Sequence, residues 1–77
     1  MGRYYRLSKK ISDEETSEIV KEVRELEDVR EAEITKDYAM LKIVTQDDQY
    51  AEVMAKTVNI CKRLGNNLEV TFAQFAV

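Results

Sequence analysis

Histidine and proline are missing from these 77 residues, cysteine occurs once, and glycine appears only at Gly2 and Gly65. Without histidine, the chain lacks the commonest general base and half of the usual ligand set for zinc, copper and iron. Ser–His–Asp and Cys–His catalytic sets are excluded for the same reason. A single cysteine, Cys61, leaves no internal disulfide. No glycine- or proline-rich stretch marks a linker, a phosphate-cradling loop or a low-complexity segment. Apolar runs fall far short of the roughly 20 residues that a membrane-spanning helix needs. The first residues also lack the apolar core of a secretion signal. These absences lead us to expect one non-catalytic domain in a reducing cytoplasm. It would have no cofactor and no direct membrane contact.

What remains is ordinary for a small globular domain: 44% apolar and 35% charged residues. Twelve basic and fifteen acidic side chains give a net charge of −3, which argues against a nucleic-acid binder built on phosphate contacts. The charge is unevenly spread. Arg3, Arg6, Lys9 and Lys10 make the first eleven residues basic, whereas residues 12–28 carry eight acids against Lys21 and Arg24.

Hydrophobic spacing divides the chain into six elements. "RYYRL" (3–7) alternates, with Tyr5 and Leu7 on one face and Tyr4 and Arg6 on the other, which predicts a strand. Ser12 fits a helix N-cap, with Glu15 three residues on to close a capping box and Asp13 and Glu14 favoured at the positive helix end. Thr16, Ile19, Val23 and Leu26 then recur at helical spacing, widened by Val20, and the helix is expected to end near Asp28. Residues 30–36 and 38–45 alternate as two strands joined tightly at Lys36–Asp37, the second with Leu41 and Ile43 inward. A second helix is expected over 47–64, capped by Thr45 or Asp47. Its apolar face would run from Tyr50 through Val53, Thr57 and Cys61 to Leu64. Gly65 suits a left-handed stop. Residues 68–75 close the chain as a strand with Leu68, Val70 and Phe72 inward. The order βαββαβ predicts an α+β, ferredoxin-like fold: a four-stranded antiparallel sheet of order 4-1-3-2 with two helices on one face.

On that topology, Tyr5 and Leu7 in the first strand, the segment "ELEDVREAEI" (25–34) and the strand "YAMLKIV" resemble the heavy-metal-associated domain of metal chaperones and metal-transporting P-type ATPases. In that family the strand reads Y-x-L, a loop carries M-x-C-x-x-C, and the helix exit reads L-x-G-V-x-x-A-x-V. Leu26, Val29, Ala32 and Ile34 stand at the family's spacing. The second helix looks longer than the family's. Counting back without gaps, the two chelating cysteines fall on Ser12 and Glu15, and a one-residue shift would bring Asp13 and Thr16 there. Soft Cu(I) needs thiolates, which a hydroxyl and a carboxylate cannot replace. The resemblance thus implies a degenerate member without metal ligands, acting as an interaction or regulatory module, either free or as the cytosolic part of a membrane transporter.

Three further constellations bear on chemistry. Asp13, Glu14 and Glu15 cannot converge on a hard cation, because consecutive helical residues point about 100° apart. Cys61 reads as a small buried hydrophobe; weak or dimer-bridged metal binding through Cys61 and carboxylates is the alternative. RNA or small-molecule binding on the open sheet is another, but only Tyr4 offers an aromatic platform where such sheets use a pair. Two partner faces are expected. One is the acidic side of the first helix, with Glu14, Glu18, Glu22 and Glu25, which would meet a basic partner as related domains do. The other is the open-sheet patch of Tyr4, Met40 and Val44, covered by a second copy or by a neighbouring domain.

Overall fold

A computed structural model describes residues 2–47 and 49–76. Along the chain run β1 (Gly2–Leu7), α1 (Asp13–Arg24), β2 (Val29–Ile34), β3 (Met40–Thr45), α2 (Tyr50–Leu64) and β4 (Val70–Ala76). The sheet is antiparallel throughout, in the order β2-β3-β1-β4, so the ferredoxin-like topology is as expected. β1 and β3 are the central strands, and they carry the core's floor: Tyr5, Leu7, Leu41 and Ile43 are all buried. Ile19 and Val23 from α1, with Val53, Ile60 and Cys61 from α2, close over them.

α1 begins as its sequence dictates. The Ser12 hydroxyl accepts from the Glu15 backbone N–H at 3.1 Å, and the Glu15 carboxylate accepts from the Ser12 N–H at 2.9 Å. Its end differs from expectation. The helix stops at Arg24, and residues 25–28 pass through tighter turns, with Leu26 N–H bonded to Val23 O and Val29 N–H bonded to Leu26 O. The shorter hydrogen-bonded reach tucks Leu26 against the core and lets β2 start at Val29. Arg24 fixes this reversal by donating from Nε to the Ala32 carbonyl.

The link between β2 and β3 is longer than a two-residue turn. Tyr38 is left-handed (φ 57°), so the strand begins at Met40 rather than at 38. Asp37 holds the loop by accepting from the Thr35 hydroxyl and the Ala39 N–H.

α2 starts at Tyr50, three residues later than expected, and Asp48 in the expected first turn lies outside the described residues. The Asp47 carboxylate bonds the Gln49 N–H two residues on, which keeps the chain out of helical geometry until that point. Thr45 is buried in β3 and caps nothing. Gly65 ends the helix, but not through a left-handed conformation: its φ is −103°. Positive φ falls instead on Asn66 and Asn67. Glycine is required at 65 for space, because a Cβ there would lie 2.6 Å from the Cys61 carbonyl oxygen and 2.7 Å from the Leu68 Cβ.

Both edge strands are irregular. A bulge between Val29 and Glu31 turns Val29 inward three residues before Ala32. In β4, Tyr4 pairs with Gln74 but Tyr5 with Phe72, so Ala73 is the extra residue. A bulge of this kind shifts the alternation of faces by one. Phe72 and Phe75 consequently share the face that carries the helices.

Candidate interaction surface

Ser12 and Glu15, the pair to which the sequence resemblance would assign chelating cysteines, are bonded to each other. Those bonds hold the Glu15 carboxyl below its ordinary range, the backbone bond from Ser12 contributing most. Asp13 accepts a hydrogen bond from the Tyr38 hydroxyl, which ties the β2–β3 loop to the first turn of α1. Glu14 points into solvent. Two of the three carboxylates thus have structural partners. Among the described residues, no group of three or more His, Cys, Asp or Glu side chains is placed to share an ion.

Cys61 is fully buried between the helices and the sheet, and burial alone pushes its thiol up to about 11. Burial keeps the thiolate fraction small and the sulfur out of reach of solvent in the folded domain.

Along α1, Glu14, Glu18 and Glu25 are exposed, but Glu22 is not free. Arg63 of α2 grips it with Nη2 at 2.9 Å and Nη1 at 3.4 Å, which holds the Glu22 carboxyl below its ordinary range. The expected row of four acids is therefore three solvated acids and one helix–helix tie. An open groove of about 570 Å³ beside α1, lined by Thr16, Ser17, Val20, Lys21, Arg24, Glu25, Glu33 and Ile34, mixes hydroxyls with charges of both signs.

On the open sheet face, Tyr4 lies opposite Lys42, and Arg6 opposite Met40. Lys42 stands between Met40 and Val44 on β3, so the expected apolar patch is divided by a cation. All three of its residues are half-buried by their neighbours. Tyr4 is the lone aromatic on this face, short of the pair on which RNA-binding sheets stack bases.

The largest exposed apolar side chains lie elsewhere. Phe72 is 50% exposed and Phe75 57%, both on β4. Their rings meet edge to face, 5.1 Å between centroids, and Phe72 meets Tyr5 in the same manner at 5.9 Å. The Arg3 guanidinium sits among them, 4.2 Å from the Tyr50 ring, 5.5 Å from Phe75 and 5.8 Å from Phe72. Such contacts favour a cation over ring faces. Strict alternation places Phe72 in the core, which its exposure corrects: β4 is an edge strand, and Phe72 lies at the margin of the helix cover. Phe75 escaped sequence reasoning altogether. The signal was present as "FAQF", two aromatics three apart in a strand without charge, a spacing that only a bulge brings to one face.

No helix among the described residues is long and apolar enough to cross a membrane. The chain matches no known protein family, no curated protein and no solved structure.

Proposed function

We propose that this chain is a non-catalytic interaction module, a relative of the heavy-metal-associated domains in which the chelating loop has become a helix cap, docking through its β4 edge. The exposed Phe72–Phe75 pair around Arg3 carries this reading. Solvent-exposed aromatics on an open strand edge are costly to a free domain and serve best when covered. The capping box at Ser12 and Glu15 and the burial of Cys61 support a role other than metal transfer. The partner is a protein or a neighbouring domain, not nucleic acid, since the exposed phenylalanines lie off the open sheet face and Tyr4 alone stands on it.

A photoreactive benzoylphenylalanine at position 75 tests this in an extract of the source cell. It should give a discrete adduct, and the same group at position 31 on the β2 edge should give none. Adducts from positions 14 or 31 with none from 75 would overturn the β4 assignment.

A further inference from the structure

The two edges of the sheet are unlike. β2 exposes Arg30, Glu31 and Glu33, charges of the kind that stop one sheet from adding to another. β4, from Val70 to Ala76, contains no charged residue and no proline. Its outer side has no strand neighbour among the described residues. Resting on the interaction reading above, we infer that the occupant of this edge is a second copy of the same chain. The two β4 strands would pair antiparallel about a two-fold axis at Gln74, with Ala73 the extra, unpaired residue of each strand.

The register follows from the bulge. With the axis there, Phe72 lies opposite the partner's Phe75, and Phe75 opposite the partner's Phe72. Both rings are on the helix-side face, so directly opposed side chains match, as an antiparallel ladder requires. Arg3 is the cross-strand neighbour of Phe75, and Tyr5 of Phe72. One continuous row therefore forms across the junction: Arg3, Phe75, the partner's Phe72, the partner's Tyr5. The symmetry-related row runs back. A register one residue to either side would set Phe72 against a residue of the opposite face.

Charge favours this pairing over any other meeting of two copies. Each chain is net negative, and eight of its fifteen acids lie in residues 12–28, on α1 and the turn after it; α1 packs over β2 at the far side of the sheet. Joining the β4 edges keeps the two acidic helices as far apart as the fold permits and brings only neutral residues together at the seam. The area sets the strength. A phenylalanine side chain offers about 200 Å², so four half-exposed rings hide about 400 Å² in all. A stable interface needs about 1,200 Å² or more. Strand backbone and the rims of Arg3 and Tyr50 add to the rings, and the product is a weak, reversible dimer.

Sedimentation equilibrium of the purified chain tests the inference. The wild type should dimerise with rising concentration, and on dilution the amide resonances of residues 70–76 should shift while those of β2 stay fixed. Phe75→Glu and Phe72→Lys should each weaken self-association roughly tenfold for every Phe–Phe pair that the substitution removes. Both side chains are half exposed, so both variants should retain the wild-type circular dichroism. An equimolar mixture of the two should recover association, because the glutamate of one copy lies opposite the lysine of the other. A wild type that stays monomeric to millimolar concentration overturns the second copy, and so does a shift of β2 resonances in place of β4. A monomeric chain that still gives an adduct from position 75 in the extract leaves the interaction reading standing with a different partner. With neither dimer nor adduct, both fall.

Discussion

Arg63 and Glu22 join the two helices across a sequence separation of 41 residues, with the guanidinium making two contacts to one carboxylate. The pair is substantially solvated, so its value lies in orienting α1 on α2 more than in strength. We expect the exchange of Glu22→Arg with Arg63→Glu to recover the thermal stability that either change alone removes, with a coupling that shrinks in high salt. The carboxyl is held below its ordinary range, so its contribution is present above that range and lost as pH falls through the lowered value. In Arg63→Ala the acid limb of the stability profile should be flatter. A charge-reversal test of the acidic helix belongs at Glu14, Glu18 and Glu25, because Glu22→Lys would set a second cation against Arg63.

The capping box makes a second expectation. Ser12→Ala should cost about 0.5–2 kcal/mol of unfolding free energy, read from urea denaturation. Glu15 likewise has a lowered carboxyl, so its share also fades as pH falls through the lowered value, and Glu15→Gln should remove that dependence. Chelators should leave the helical circular dichroism of the wild type unchanged.

At the end of α2, Gly65→Ala should cost about 1–3 kcal/mol, since the new methyl meets backbone and a core side chain that cannot retreat. Asn67→Gly should be tolerated, because its φ of 67° is one that glycine adopts freely. If Asn67→Gly proved the more damaging of the two in the same denaturation assay, the steric account of Gly65 would be wrong.

Cys61 should resist thiol reagents in the native state and react only at the rate at which the domain opens. Its labelling rate in rising urea should therefore track unfolding. Zn(II) or Cu(I) should not slow that reaction. Protection by equimolar metal in a monomer would revive the alternative in which Cys61 and carboxylates hold an ion.

Local chemistry was the most legible part of the sequence. Ser12 and Glu15 interact within one turn, so their spacing alone specifies the cap, and period-two alternation fixes the inner faces of β1 and β3 for the same reason. Features that depend on two distant segments were hidden. The left-handed Tyr38 is set in a loop tied to Asp13. The need for glycine at 65 is local, set by the Cys61 carbonyl and the Leu68 side chain closing on the end of α2, yet no residue spacing announces it. Glu22 reads as one of several exposed acids until α2 brings Arg63 to it. Both bulges escape a reading based on strict alternation, and the one at Ala73 moved the candidate surface from the open sheet to the β4 edge.

The placing of β1 between β3 and β4 has a consequence for synthesis. Of the four described strands, β1 is made first and is a central one, and one of its two neighbours, β4, is made last. Closing that pairing joins residues 2–7 to 70–76, a long-range contact that slows folding. Until residues 70–76 emerge, Tyr5 and Leu7 sit on a strand with one side unpaired. During that interval the nascent domain is open to the aggregation that incomplete sheets invite.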